Sequence, residues 1–282
     1  MLNRIRRAVN TLRKIILIYQ TGGIINADIS FCQQSTLLEG KRILITGGSS
    51  GIGLAMAKKF IAFGAYVVIT GRNVQKLKDA MSSINSQNCK YVVWDHSKID
   101  DLVEKLSKVQ QILDGNIDVL INNAGVAPSK FWGNVDEEEW DNIYNINLKG
   151  NYFLSQEIVK LWKTKSFKGY KKILNISSQG GFVGATYPYR MTKWDLRGLT
   201  EGLGKSLIND RIIVNGIAPG VVKTAMQQFS LQQGDNLYTD QNPINRVCLP
   251  EEIAELAAFL VSDTSNFIIG QTIVCDGGYI LK

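Results

Sequence analysis

Apolar runs and helix-period segments alternate along the chain from about residue 40 onward. The runs are short and continuous, which is typical of parallel strands that are buried on both faces. The predicted strands are Arg42–Ile45, Ala65–Thr70, Tyr91–Trp94, Ile117–Ile121, Lys172–Ile176, Arg211–Asn215 and Thr272–Cys275. The predicted helices are Ile52–Phe63, Asn73–Ile84, Ile99–Leu113, Trp140–Trp162, Tyr189–Ile208 and one that begins at Pro250. This alternation predicts a single doubly wound α/β domain over residues 40–282, with a mainly parallel seven-stranded sheet.

Residues 1–39 follow a different pattern and are predicted to be an N-terminal extension. Over residues 1–19 apolar side chains recur every three or four positions, with arginine and lysine on the other side, which predicts a basic amphipathic helix. Residues 20–39 have the composition of a linker. Three roles fit the helix: packing on the body or on a partner subunit, lying on a membrane surface, or acting as an organelle transit segment.

The charge and the rare residue types exclude several classes of function. Residues 1–39 carry five basic and two acidic residues, or +3 of the net +7, so the longer body is only mildly basic and no nucleic-acid partner is predicted. The four cysteines form no C-x-x-C pair, which indicates reduced thiols and a cytoplasmic location. His96 is the only histidine, so no metal site is predicted, and we expect it in a surface loop.

A glycine-rich turn, T-G-G-S-S-G-I-G over residues 46–53, joins the first predicted strand to the first predicted helix. Gly47 permits a turn that a side chain would resist, Gly51 permits close approach of a phosphate, and Gly53 lets the helix pack on the strand. The helix N-terminus, with the hydroxyls of Ser49 and Ser50, offers donors to a pyrophosphate. The turn therefore predicts a Rossmann-type dinucleotide site.

The spacing T-G-x-x-x-G-x-G resembles that of the short-chain dehydrogenase/reductase family. The same order of motifs continues with N-N-A-G at residues 122–125, a serine strand end before Y-x-x-x-K at residues 189–193, and P-G-x-V-x-T at residues 219–224. The resemblance covers residues 40–282. It implies an NAD(P)(H)-dependent oxidoreductase that interconverts a ketone and a secondary alcohol by hydride transfer.

The resemblance implies four catalytic residues. Tyr189 would give the proton to the carbonyl oxygen, Lys193 would favour the tyrosinate and hold the nicotinamide ribose, and Ser178 would orient the carbonyl. Asn147 would hold a water that links the lysine to solvent; the alternative is an amide that satisfies backbone groups at a helix irregularity. The loop from Ser178 to Tyr189 is two residues shorter than is usual in the family, which leaves Ser177 as the alternative serine.

The resemblance also implies how the dinucleotide is held. Arg72 follows the second strand, where an acidic residue would read the ribose of NAD, so NADP(H) is favoured and NAD(H) is the alternative. Asp95 would accept from the adenine amino group; its alternative is a helix N-cap. The predicted cofactor-binding residues are Gly47, Ser49, Ser50, Gly51, Ile52, Gly53, Arg72, Asp95, Asn123, Ala124, Gly125, Tyr189, Lys193, Pro219, Gly220, Val222 and Thr224.

The combined prediction is a carbonyl reductase that uses NADPH on a small-molecule carbonyl or alcohol substrate. The alternative, a catalytically silent dinucleotide-binding sensor or scaffold, is disfavoured because Tyr189 and Lys193 are both present. The polar segment at residues 225–246 is interpreted as a substrate lid. A homo-oligomer, dimer or tetramer, is expected from the family and from apolar residues on several sides of the two long helices. Peripheral membrane contact through residues 1–19, or organelle targeting through residues 1–39, remains the alternative to a purely cytoplasmic location.

Overall fold

The computed structural model describes residues 9, 11–13, 15, 16, 19, 30–32, 35–227 and 237–281. Seven strands in these ranges form one sheet in the order β3-β2-β1-β4-β5-β6-β7, and every neighbouring pair is parallel. The strands are β1 Arg42–Ile45, β2 Tyr66–Gly71, β3 Cys89–Val93, β4 Val119–Asn122, β5 Lys171–Ile176, β6 Ile212–Pro219 and β7 Thr272–Cys275. The predicted doubly wound seven-stranded sheet is confirmed.

Helices cover both faces of this sheet. They are α1 Gly51–Ala62, α2 Val74–Ile84, α3 Leu102–Ile112, α4 Glu137–Tyr144, α5 Gly150–Lys163, α6 Pro188–Leu207 and α7 Pro250–Val261. One apolar core lies under α1, α2 and α7, and a second lies under α3 and α5. Local sequence sets several helix starts: the side chains of Asn73 and Asp136 accept from backbone N–H groups of α2 and α4, and proline occupies the first turn of α6 and α7.

The structure divides the region predicted as one long helix, residues 140–162, into three segments. A π-helical segment, Asn145–Lys149, separates α4 from α5. An insertion of this kind leaves the apolar periodicity of the flanking turns largely intact, so the pattern of hydrophobic residues does not reveal it. Such segments are common at functional sites because they re-aim one side chain, and Asn147 lies at the middle of this one.

The described residues of the predicted N-terminal helix (9, 11–13, 15, 16 and 19) are helical, and their apolar side chains are exposed. The relative exposures range from 44% at Val9 to 91% at Tyr19. Among the residues that the structure describes, no helix is long and apolar enough to cross a membrane. The split between residues 1–39 and 40–282 stays a prediction, and the packed body reaches back at least to Leu38. That side chain is fully buried in the core, and its N–H donates to the Phe63 carbonyl at 3.0 Å.

Candidate active site

A cavity of about 380 Å³ opens at the carboxyl ends of the strands, where the strand order reverses between β1 and β4. Ligands of open α/β sheets bind in the crevice at such a switch point. Every residue predicted to bind the dinucleotide lines this cavity, and so does Ser178. Asn147 does not. Sequence reasoning missed Asn73, Lys76 and Met226, which also line the cavity.

The glycine turn packs so closely that added side chains would collide at three of its positions, Gly47, Gly48 and Gly53. Gly47 has a φ of +64°, and a Cβ there would lie 2.9 Å from the Ala124 Cα atom. A Cβ on Gly53 would lie 2.6 Å from Nδ2 of Asn123. These glycines let the turn pack against β2 and the segment after β4, while Ser49, Ser50 and the first residues of α1 line the cavity with their donors.

Asn123, directly after β4, holds the glycine turn through its side chain and also lines the cavity. Asn123 Nδ2 donates to the carbonyls of Thr46 and Gly47, each at 2.9 Å. The Thr46 hydroxyl accepts from the N–H groups of Asn123 and Ala124, each at 2.9 Å, and donates to the Ile121 carbonyl at 3.2 Å. The N-N-A-G motif thus ties β1 to β4 and leaves the small residues Ala124 and Gly125 lining the cavity.

The ends of β2 and β3 bring opposite charges to one part of the cavity. Arg72 and Lys76 line it together with Asp95, whose carboxylate accepts from the Ser97 N–H and hydroxyl at 3.1 and 2.7 Å. Burial opposes ionisation of Asp95, but the Ser97 hydrogen bonds and the Arg72 guanidinium hold its pKa below the usual range. The alternative prediction of a helix N-cap is wrong, because the next helix begins only at Leu102. Lys76 could have been found from the sequence, because it is a basic residue in the first turn of α2, four positions after Arg72.

The expectation that His96 lies at the surface is wrong. Its side chain is buried, with Nε2 lying 2.6 Å from Oγ1 of Thr70. The ring stacks on Trp94 with centroids 4.4 Å apart. Burial lowers the pKa of His96 to about 3, so the imidazole is neutral at physiological pH. His96 therefore links the end of β2 to the loop after β3, the two segments that carry Arg72 and Asp95.

Tyr189, Lys193 and Ser178 come together at the cavity. Pro188 starts α6, so Tyr189 lies in its first turn and Lys193 one turn later on the same face. Lys193 Nζ lies 5.5 Å from the centroid of the Tyr189 ring and donates to the Ile176 carbonyl at 3.0 Å. The Ser178 side chain hydrogen-bonds Tyr189, whereas the buried Ser177 hydroxyl donates to the Lys193 carbonyl at 2.9 Å. This geometry favours Ser178 over Ser177 as the residue that meets the substrate.

Burial dominates the titration of the two principal catalytic candidates. Burial raises the pKa of Tyr189, although the Ser178 hydrogen bond works against that shift, and the nearby Tyr187 adds to it. Burial also lowers the pKa of Lys193 to about 8. These directions differ from the expected tyrosinate, because they keep the phenol of Tyr189 protonated near neutrality. A protonated phenol is the form that can give a proton to a carbonyl oxygen.

Asn147 satisfies backbone groups at the π-helical segment, as its alternative interpretation proposed. Its Oδ1 accepts from the Val126 N–H at 2.8 Å and its Nδ2 donates to the Val126 carbonyl at 3.1 Å. Its own carbonyl accepts from Asn151 Nδ2 at 2.8 Å. These bonds fix the segment that follows N-N-A-G against the π-helical segment. A role for Asn147 in a water relay stays a prediction.

The predicted lid falls partly outside the described residues. Residues 225–227 form a short 3₁₀ turn, and Ala225 and Met226 line the cavity. Residues 228–236 lie outside the part of the chain that the structure describes, and the description resumes at residue 237.

Comparison with known proteins decides the family. The sequence model described as Enoyl-(Acyl carrier protein) reductase matches residues 47–280. The chain is 36% identical over 251 residues to the 3-oxoacyl-[acyl-carrier-protein] reductase FabG of Thermotoga maritima, covering 86% of this chain and 99% of the relative. The FabG of Aquifex aeolicus is 33% identical over 250 residues, covering 86% and 98%. The chain belongs to the short-chain dehydrogenase/reductase family. This family member is thus an NAD(P)-dependent oxidoreductase that acts on CH–OH or C=O groups.

A solved structure supports the same assignment. The 3-ketoacyl-(acyl-carrier-protein) reductase of Brucella melitensis, solved in complex with NADH, superimposes with a TM-score of 0.78 at 30% identity and covers 86% of this chain and 99% of its own. The residues present here fit a nicotinamide dinucleotide. The N-terminus of α1 lies at the cavity, where its N–H groups can donate to a pyrophosphate, and Arg72, Lys76 and Asp95 supply charged groups to the same cavity.

Proposed function

We propose that this reductase converts a ketone to a secondary alcohol with NADPH, and that Tyr189 gives the proton. The observation that carries the proposal is the grouping of Tyr189, Ser178 and Lys193 on the wall of the cavity that the glycine turn also lines. The bound dinucleotide supplies the hydride. Tyr189 donates its phenolic proton to the carbonyl oxygen as negative charge develops there, and the Ser178 hydroxyl donates a hydrogen bond to the same oxygen. Lys193 holds the ribose and stabilises the tyrosinate that the transfer leaves behind.

The preference for NADPH rests on two cations. Arg72 and Lys76 line the same part of the cavity, and Gly71 occupies the place at which an acidic residue would oppose a 2′-phosphate. A guanidinium binds a phosphate with two parallel hydrogen bonds, and a neighbouring ammonium adds a second positive charge. The Asp95 carboxylate is already satisfied by Ser97 and lies at the adenine side in this proposal.

For the substrate, 3-oxoacyl thioesters are the first class to test. Two relatives that this chain covers almost completely are named 3-oxoacyl-[acyl-carrier-protein] reductases. An exposed aromatic surface suits an acyl chain. Phe131 and Trp132 are 55% and 80% exposed, and the Phe131 ring meets Tyr187 edge-on at 5.0 Å, two residues before Tyr189. Aromatic side chains exposed together in this way mark binding surfaces.

The test is the substitution Tyr189→Phe, assayed with NADPH and a panel of 3-oxoacyl thioesters and simple ketones. We expect kcat to fall by about 10²–10⁴, the usual contribution of a positioned acid, while NADPH binding persists. Tyr66→Phe is the control, because it removes the same hydroxyl from an exposed residue at the start of β2. A variant with more than about a tenth of wild-type kcat would remove Tyr189 as the donor. Wild-type protein that binds NADPH and turns over no carbonyl would instead favour the silent sensor.

We also propose that the protein is a homo-oligomer, a dimer or a tetramer, assembled through α5 and α6. A surface groove runs between these helices, lined mainly by apolar side chains that include Leu148, Phe153 and Leu199. Tyr152 and Trp194 on its walls are 45% and 42% exposed. Contiguous apolar surface of this kind is typical of a protein–protein interface.

We propose that the enzyme is cytoplasmic and that the N-terminal helix at residues 1–19 docks it rather than completing its fold. Its exposed apolar stripe and five basic residues fit either a partner subunit or an anionic membrane surface, where each cation contributes about 1 kcal/mol.

A further inference from the structure

Three consecutive residues at the carboxyl end of β5 hold α6, the helix that carries the proposed proton donor. The Asn175 side chain donates through Nδ2 to Thr200 Oγ1 at 2.9 Å, and the Ser177 hydroxyl donates to the Lys193 carbonyl at 2.9 Å. Between these two residues, the Ile176 carbonyl accepts from Lys193 Nζ at 3.0 Å. Lys193 is therefore held both at its backbone and at the tip of its side chain.

The buried face of α6 offers little apolar surface that could fix the helix in another way. Seven of its residues are buried, and only Leu196 and Leu207 among them are large and apolar. The other five are Pro188, Thr192, Lys193, Thr200 and Gly204. Apolar packing is non-directional, whereas a hydrogen bond restricts both distance and angle. On this face, the bonds from the end of β5 are therefore the directional contacts that set the rotation of α6 about its axis.

A second asparagine fixes the direction of the Asn175 amide. Asn122 is its register partner in β4, and Nδ2 of Asn122 donates to Oδ1 of Asn175 at 2.9 Å. The Thr200 hydroxyl donates its hydrogen to the Leu196 carbonyl at 2.7 Å, so it can only accept from Asn175. Both asparagines and Thr200 are buried, so water does not compete for these bonds.

The two points of attachment lie along one face of the helix. Lys193 and Thr200 are separated by nearly two full turns, which places them on the same face about 10 Å apart along the axis. Tyr189 lies one turn before Lys193 on that face. A side-chain tip lies about 6 Å from the helix axis, so a rotation of about 10° displaces it by about 1 Å. A displacement of that size at a reacting group can lower a rate by about 10²-fold.

We propose that Ser177 and Asn175 are positioning residues for the reduction: they set the rotation of α6 and thereby direct Lys193 and Tyr189 toward the cavity. The inference rests on the roles that the proposed function gives to those two side chains. It assigns to Ser177 an action on the helix rather than on the substrate. Neither Asn175 nor its partner Thr200 lines the cavity, so a loss of rate through this pair does not come from a lost substrate contact.

The test removes the Thr200 hydroxyl while keeping the shape of the side chain. Thr200→Val leaves Asn175 Nδ2 without its acceptor, whereas Thr200→Ser keeps the hydroxyl. Steady-state kinetics use NADPH and the carbonyl that the wild-type protein reduces fastest. We expect Thr200→Val to lower kcat by about tenfold or more with both KM values within about twofold, and Thr200→Ser to keep kcat within about twofold of wild type. Ser177→Ala should repeat the Thr200→Val pattern, because both changes act through α6.

A matched control separates positioning from stability. Ser262 carries another buried hydroxyl, which donates to the Phe259 carbonyl at 2.8 Å at the end of α7, away from the cavity. Ser262→Ala should lower the melting temperature, as Thr200→Val does, and keep kcat within about twofold of wild type.

Four results would overturn the inference. They are a Thr200→Val protein with wild-type kcat, a Thr200→Ser protein that loses as much kcat as Thr200→Val, a Ser177→Ala protein with wild-type kcat, and a Ser262→Ala protein whose kcat falls as far as that of Thr200→Val. The second would assign the effect to packing of the methyl group, and the fourth to stability alone. A wild-type protein that turns over no carbonyl would instead refute the proposed function, and this inference with it.

Discussion

The buried ammonium of Lys193 gives a prediction that separates catalysis from stability. Burial lowers its pKa from 10.5 to about 8. One pKa unit corresponds to about 1.4 kcal/mol, so keeping the charge at pH 7 costs the folded state about 3 kcal/mol. Lys193→Met removes that cost, but it leaves the Ile176 carbonyl without its donor, which costs about 1–3 kcal/mol. We therefore expect the variant to lose turnover while its free energy of unfolding at pH 7 stays within about 2 kcal/mol of wild type.

The pH dependence of the free energy of unfolding tests whether the buried charge of Lys193 is the cause. Because the pKa of Lys193 is lower in the folded than in the unfolded protein, the unfolded chain binds more protons between pH values of about 8 and 10.5. The contribution of Lys193 to stability therefore rises with pH across that window, by about 2 kcal/mol between pH 7 and pH 9.5. Lys193→Met lacks this rise. Urea denaturation of both proteins at the two pH values measures it, because the other titrating groups cancel in the difference.

Lys172 supplies a matched control. It is a second buried lysine, in β5, and burial lowers its pKa to about 8. Its Nζ donates to the Leu260 and Ser262 carbonyls and to Ser265 Oγ, away from the cavity. Lys172→Met should show the same pH-linked difference and a larger loss of stability at pH 7, with turnover retained. If the Lys193→Met difference is equal at pH 7 and pH 9.5, or if that variant turns over, the reasoning fails.

Three further outcomes are expected. Arg72→Asp weakens NADPH binding far more than NADH binding in fluorescence titrations, because it removes a phosphate partner and adds a repulsive charge; equal losses would show that Arg72 does not read the 2′-phosphate. Trp194→Arg shifts the mass from light scattering toward the monomer, and a wild-type protein that is already monomeric at micromolar concentration would contradict the interface. Removal of residues 1–34 leaves a folded protein that binds NADPH but no longer co-sediments with anionic vesicles. Binding of the full-length protein to these vesicles falls as the salt concentration rises. An unfolded product would make the extension part of the core, and unchanged vesicle binding would remove the membrane role.

The sheet and the cavity were predictable because each depends on a local signal. Continuous apolar runs identify buried parallel strands, and the predicted cofactor-binding motifs other than Y-x-x-x-K, which lies on α6, follow strands at their carboxyl ends, where parallel strands converge. The strand topology therefore brings these motifs together.

What the sequence could not reveal depends on partners that are distant along the chain. His96 is buried because Thr70, 26 residues earlier, offers a hydroxyl, and a single histidine carries no pattern that would show this partner. Lys172 is buried in a strand because the end of α7 supplies carbonyl acceptors 88 and 90 residues away. Charged side chains are normally assigned to the surface, so only the fold shows that these acceptors are within reach.

The hydrogen bonds by which Asn123 and Thr46 hold the glycine turn have a kinetic consequence. These hydrogen bonds all lie within the protein and join the ends of β4 and β1, so the turn holds its shape independently of a ligand. A dinucleotide that arrives there has no loop to order, and the entropy that binding usually spends on ordering a loop is avoided. Association should then be governed by diffusional encounter and by the field of the nearby cations, while the lifetime of the complex, rather than its rate of formation, distinguishes one dinucleotide from the other.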